Sequence, residues 1–181
     1  MKIHYLKLSL LTFVSFALLS LGAKAQVSGS SINIGTGNYV PGTYAGGFGQ
    51  VNGSTANCSF GFGNGSWAKG DYSLVAGYQS ETDGTASTAF GAWVWGGSYC
   101  EVVIGRYNLG GISTVRSTYN KTAWVSTDPL LEVGNGTGNT VGTASNALTI
   151  YKNGNATFQG SIRCSPGGDL SMGSYTAGTH P

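Results

Sequence analysis

The sequence predicts an all-β protein: a parallel β-roll, or solenoid, of fourteen-residue units followed by a small antiparallel β unit. Three observations carry that expectation. A glycine returns at Gly35, Gly49, Gly63, Gly77, Gly91 and Gly105, fourteen residues apart each time, and a fixed period of this kind marks stacked structural repeats. Glycine fills 31 of 181 positions and charged residues only 9%, against the ~25% usual in globular chains. Aromatics at 12% nevertheless exclude the composition of a disordered chain. Finally, Asn153-Gly154 stands between two apolar runs, the strongest short hairpin signal a sequence carries.

Taken in order, residues 1–25 read as a secretory signal: Lys2 and Lys7, an apolar run from Leu8 to Leu21, then the small-x-small end Gly22-Ala23-Lys24-Ala25, with cleavage expected before Gln26. The alternative, a membrane anchor, is disfavoured because the run falls short of the ~20 apolar residues of a span. The expected location is therefore secreted or at the cell surface, with no transmembrane anchor left after the signal is removed. Without Lys2, Lys7 and Lys24, the remaining cations are Lys69, Arg106, Arg116, Lys121, Lys152 and Arg163, set against seven acids. No basic stripe is left, which argues against a nucleic-acid partner.

Residues 26–108 hold the repeats. Gln26–Ser30 is a polar leader expected to have little order, and the first units, interrupted by Pro41, have the irregularity of a capping repeat. Each unit has room for two short strands and two turns, since about five residues make a strand. An apolar residue precedes the periodic glycine at Ile34, Phe48, Phe62, Ala76, Phe90 and Ile104. Four residues before that glycine come Ser31, Ala45, Ser59, Ser73 and Ser87, a small-residue row broken only by Glu101. Alternation then places Phe60 and Phe62, Leu74 and Ala76, Thr88 and Phe90, and Val102 and Ile104 on one face. The opposite face carries Ser59 and Gly61, Ser73 and Val75, and Ser87 and Ala89. The large apolar face is expected to be the core.

The units Gly63-Asn-Gly-Ser-Trp-Ala-Lys-Gly-Asp-Tyr-Ser-Leu-Val-Ala-Gly77 and Gly77-Tyr-Gln-Ser-Glu-Thr-Asp-Gly-Thr-Ala-Ser-Thr-Ala-Phe-Gly91 resemble the head repeats of trimeric autotransporter adhesins, the YadA-like heads. Ser80, Thr82, Gly84, Ser87, Ala89, Phe90 and Gly91 match that family's pattern of small alternating residues, a mid-unit glycine and Ser-x-Ala-apolar-Gly. The resemblance implies a left-handed parallel β-roll and a homotrimer with three chains side by side in an adhesive head.

After Gly105 the period is lost. Residues 109–127 read as a connecting segment with a strand at Tyr119–Ser126, and residues 128–164 as the small antiparallel unit. The run from Asp128 to Thr137, followed by Ser145 to Gly154, resembles a segment of bacterial surface and phage-tail-fibre-like proteins. Residues 165–181 form a Gly- and Ser-rich tail. Neither a heptad stalk nor the long alternating strands of a barrel anchor is present in the sequence.

Catalytic chemistry finds little support. His4 lies in the signal and His180 in the tail, so the repeats hold no histidine to act as a general base. Asp71, Glu81 and Asp83 read as solvated turn carboxylates, and no metal-ligand spacing stands out. No enzyme, cofactor or metal is expected. Cys58 and Cys100 occupy equivalent places three units apart, roughly 14 Å at the ~4.8 Å spacing of stacked strands, too far for a disulfide. They read as buried free thiols, with an inter-chain bridge or a link to Cys164 as alternatives.

The residues that suggest binding are aromatic. Trp67 and Trp95 take equivalent places two units apart with Glu81 between them, and Trp93 and Tyr78 lie close by. They form either a stacking platform for a sugar or protein ligand, or a surface packed against a neighbouring protomer. The function expected is that of a non-enzymatic adhesin-head-like binding or structural protein with a host protein, matrix protein or glycan as ligand. The alternatives are a phage-tail-fibre-like spike component and, from another class, a carbohydrate-active enzyme on a β-solenoid.

Overall fold

The structure, a computed structural model, describes residues 26–28 and 31–161. The signal, Arg163, Cys164 and the tail lie outside the described residues. Along the chain run β1 (Gln26–Ser28), β2 (Ser31–Thr36), β3 (Gly46–Gln50), β4 (Gly53–Ser54), β5 (Phe60–Asn64), β6 (Trp67–Ala68), β7 (Leu74–Tyr78), β8 (Glu81–Thr82), β9 (Thr88–Ala92), β10 (Trp95–Gly96) and β11 (Val102–Arg106). A single 3-10 turn (Leu109–Gly111) and a one-turn helix, α1 (Ser113–Arg116), follow, and then β12 (Pro129–Asn135), β13 (Asn146–Tyr151) and β14 (Ala156–Phe158).

Each fourteen-residue unit is one coil with a five-residue strand, a two-residue strand and two corners. The long strands stack in parallel and strictly in register, so that Gly35, Gly49, Gly63, Gly77, Gly91 and Gly105 are successive ladder partners. The short strands form a second parallel sheet in the order β10-β8-β6-β4. The chain is thus a β-solenoid, as the period predicts.

The interior corrects the expectation about the core. Apart from Glu101 in the last coil, the buried residues on this face are the small ones: Ser59, Ser73 and Ser87, Val75, Ala89 and Val103, with Ala68 and Thr82 from the opposing short strands. The large apolar row faces outward, leaving Ile34 (48% exposed), Phe62 (37%), Phe90 (42%) and Ile104 (40%) in contact with solvent. Two sheets joined by corners of only a few residues lie too close together to hold a phenyl ring on each, so the narrow lumen selects Ser, Ala, Gly and Val. The buried hydroxyls are satisfied locally, as in the bonds that Ser59 and Ser87 donate to the carbonyls of Ala56 (2.7 Å) and Gly84 (2.6 Å).

A second buried row, Asn52, Ser66, Ser80, Val94 and Asn108, lines the other corner. Asn52 Nδ2 donates to the carbonyls of Phe48 and Gly63 (both 2.8 Å), and its Oδ1 accepts from the Ser66 amide of the next coil (3.0 Å). Ser66 and Ser80 repeat the link with bonds to Gly77 and Gly91. These side chains tie successive coils together where the backbone turns.

The periodic glycines hold φ between 102 and 146°, and a Cβ on any of them would collide with the carbonyl oxygen of its partner in the next coil. No side chain is compatible with that approach. Both corners also use left-handed backbone, yet there non-glycine residues accept it: Tyr44, Cys58, Tyr72, Ala86 and Cys100 at one, Val51, Gln79, Trp93 and Tyr107 at the other, with φ of 45–59°. Cys58 and Cys100 share a corner row, half-buried rather than buried, and no disulfide joins them.

Two further expectations change. Gln26–Ser28 is paired antiparallel with Ser31–Asn33 rather than loose. Residues 119–126 contain no strand; α1 lies just before them, and the segment is then held by bonds such as Asn120 N to Asp128 Oδ2 (2.8 Å). The period is lost after Gly105 as expected, yet the stack goes on, because β12 pairs in parallel with β11 and sets Gly134 beside Gly105. The small antiparallel unit forms as expected from β12, β13 and β14, and it continues the roll's own ten-stranded sheet. The hairpin at Asn153-Gly154 forms as expected, with Gly154 at φ 87° and β13 paired to β14.

Candidate ligand site

The short-strand sheet sets out the aromatic platform. Trp67, Glu81 and Trp95 are direct ladder partners on β6, β8 and β10, so the carboxylate sits between two indoles. Trp67 lies over Gly53, where a Cβ would strike its ring. Gly53 is therefore the residue that lets the indole lie down along the ladder. Trp93 projects from the left-handed corner next to β10 and meets Tyr78 edge-on at 6.3 Å and Tyr107 in a stacked arrangement at 6.1 Å.

Around these residues is a cavity of about 230 Å³, walled by Trp67, Trp93 and Trp95, with Gln79, Glu81 and Asn139 among its polar lining groups. Of the four aromatics singled out in the sequence, the structure brings the three tryptophans together at this cavity. Tyr78 stays outside it, touching Trp93. Sequence reading did not reach Gln79 or Asn139: Gln79 lies at a corner, and Asn139 arrives from the β12–β13 loop.

Glu81 is not a solvated turn residue. It lies on β8, mostly buried, and pairs with the Lys69 ammonium. Burial pushes its pKa up to about 7, with Lys69 only partly offsetting the effect. The same ammonium lies 5.8 Å from the Trp67 ring centre and 5.6 Å from that of Trp95, within cation–π range of both. Arg116 stacks on Trp95 at 3.2 Å, while the Trp95 indole N–H is buried without an acceptor among the described residues. Asp83 pairs with Lys121 at 2.8 Å; its burial opposes the charge, but the Lys121 bond and charge prevail and hold its pKa below the usual value.

A second acidic cluster is buried at the C-terminal end of the roll. Glu101 and Glu132 are 0% and 1% exposed. Glu101 accepts from the Ser98 amide at 2.8 Å, and its other oxygen has no partner. Glu132 accepts from Asn108 Nδ2, from the Gly110 amide (3.2 Å) and from the Tyr119 hydroxyl (3.3 Å). Burial raises the pKa of both carboxyls, and for Glu101 the neighbouring Glu132 adds to the rise. The exception at Glu101 in the small-residue row is the one sign of this cluster in the sequence; nothing there marks Glu132 as its neighbour.

The chain matches no family model, no curated protein and no solved structure. Among the described residues no helix is long and apolar enough to cross a membrane, and no three His, Cys, Asp or Glu side chains converge as metal ligands.

Proposed function

We propose that this chain is an exported, non-enzymatic β-roll that works as an adhesin-head-like binding or structural module, assembled as a homotrimer. The observation that carries the reading is the outward apolar face of the long sheet. Ile32 and Ile34 on β2, Phe62 on β5, Phe90 on β9, and Val102 and Ile104 on β11 are exposed, with half-buried Phe48 and Ala76 at the same offset on β3 and β7 between them, and Phe48 stacks on Phe62 at 4.7 Å. Through the pairing of Val102 with Leu131 and Ile104 with Val133, the row extends onto β12. Contiguous apolar surface of this kind marks an interaction site. A lumen filled with Ser, Ala and Gly offers little apolar burial in its place, so copies of the chain packed face to face supply what the coil lacks.

The resemblance of the repeats to adhesin heads supports three chains rather than two, and the signal-like residues 1–25 support export to the surface. A binding role is supported by the tryptophan-walled cavity on the other sheet, which the proposed assembly leaves open. An enzymatic role on the same cavity has less support: its lining presents one carboxylate, already tied to Lys69, where glycoside hydrolysis uses two. Light scattering at micromolar concentration tests the assembly. A trimer mass is expected, and a monomer with a full β-sheet circular dichroism signal overturns it.

A further inference from the structure

We propose that the cavity walled by Trp67, Trp93 and Trp95 is a glycan subsite that takes one neutral pyranose ring, stacked on indole and hydrogen-bonded through its hydroxyls to Gln79, Glu81 and Asn139. The inference rests on the reading of the chain as a binding module and names the ligand chemistry of its site. Geometry makes the first argument. Trp67 and Trp95 flank Glu81 in strict register, so their backbones are two strand spacings apart, roughly 9–10 Å. Glu81 and the Lys69 ammonium occupy the space between them, so the sugar ring stacks on one indole face, at a contact of about 3.5–4 Å, rather than between two. The open space of about 230 Å³ lies beside the ladder, with Gly65 of the corner in its lining.

Gly65 contributes by its size. A Cβ there would strike the Gln79 side-chain amide, so the glycine is what lets that amide lie along the edge of the cavity. Asn139 adds a second exposed amide from the β12–β13 loop. Indole faces attract the C–H face of a sugar, while amides and a carboxylate offer both donors and acceptors to its hydroxyls.

Charge argues for a neutral ligand. The ammonium of Lys69 already balances Glu81, and that of Lys121 balances Asp83. Lys69 is not among the residues lining the open space, so its pairing holds the carboxylate without filling the cavity. A cationic ligand would have to compete with Lys69 for Glu81, and an anionic one would meet that carboxylate in the cavity wall, where the Arg116 guanidinium stacked on Trp95 is not among the lining groups.

The four tryptophans provide their own test. The indole N–H resonances of the full mature chain are followed by nuclear magnetic resonance during titration with the methyl glycosides of glucose, galactose, mannose and N-acetylglucosamine. Tetramethylammonium serves as the cationic comparison. Saturable shifts at Trp67, Trp93 and Trp95 with at least one glycoside, and none at Trp124, are expected. Trp67→Ala and Gln79→Ala should each weaken that binding about tenfold or more. Should Trp67→Ala fail to fold, Gln79→Ala, which alters an exposed side chain, decides alone. Absence of shifts with every glycoside overturns the subsite, as does a response to tetramethylammonium only, or glycoside binding unchanged in Gln79→Ala. The mass of the same sample separates this from the reading it rests on: a monomer that binds glycoside removes the trimer alone, and a trimer that binds none removes the subsite alone.

Discussion

Gly105 and Gly134 are direct partners across the β11–β12 ladder, although the fourteen-residue period would put Tyr119 in that place. A Cβ on Gly105 would collide with the Gly134 carbonyl, as a Cβ on Gly91 would with that of Gly105. The excursion through α1 is therefore an insertion in a continuing stack. Replacing Gly77, Gly91 or Gly105 by Val should each destabilise the roll by at least 1–3 kcal/mol, roughly the cost of forcing a branched residue into left-handed backbone, before the collision is counted. Ser117→Ala, on the exposed side of the segment after α1, should stay within about 0.5 kcal/mol. Thermal melts of these variants decide it; equal midpoints would mean that the glycine row is compositional.

Ala86 points the other way. It holds φ 56° at a corner, is exposed, and keeps its amide bonded to the Asp71 carbonyl at 2.8 Å. An L-residue pays roughly 1–2 kcal/mol in this conformation, whereas glycine gives back about 0.4–1 kcal/mol through its freer unfolded chain. Ala86→Gly should therefore be neutral or stabilising by up to about 1 kcal/mol. A melting midpoint clearly below that of the parent would count against the corner geometry.

Position in the coil thus decides what glycine does, and this bears on how much was legible in sequence. Gly77 could be read because its period survives any choice of side chain around it: the requirement is set by backbone meeting backbone. Trp67, Glu81 and Trp95 were legible for the same reason, as equal offsets in a stack become neighbours. The direction of Phe62 was not. Alternation assigns residues to two faces but says nothing about which face is inside, and the usual rule that large apolar residues go inward fails where the lumen is too narrow for them. Gln79 and Asn139 escaped because a corner and a loop carry no periodic signal.

Titration of the buried carboxyls gives stability a defined pH profile. Glu81 has its pKa raised from about 4.5 unfolded to about 7 folded, so the folded state holds the extra proton. Its contribution is fully present below about 4.5 and is lost as pH rises through 7. Glu101 and Glu132 are raised too and act in the same sense. Asp83 is lowered, so its contribution is present above its usual value and is lost as pH falls below it. The melting midpoint should be highest in mild acid and fall towards neutrality. In Glu81→Gln the fall between about pH 4.5 and 7 should be shallower, and a parent midpoint that climbs steadily over this range would contradict the burial of these groups.

The outward apolar row gives the sharpest separation between folding and assembly. Phe62 and Phe90 are 37% and 42% exposed, and neither contributes to the buried cluster of Ala68, Val75, Ala89, Val94 and Val103. Phe62→Asp and Phe90→Asp should therefore leave the far-ultraviolet circular dichroism spectrum of the coil unchanged. In an assembly through this face each substitution recurs in every copy, and a carboxylate placed among apolar side chains loses its hydration without gaining a partner. Either change should shift the mass measured by light scattering from trimer to monomer at micromolar concentration, and the double variant should remain monomeric where a single one still associates weakly. Lys121→Ala, on the other side of the roll beside Asp83, should leave the mass unaltered. If the Asp variants keep the parent's mass, the copies meet through another surface; if they lose the β-sheet signal altogether, the apolar row supports the coil itself.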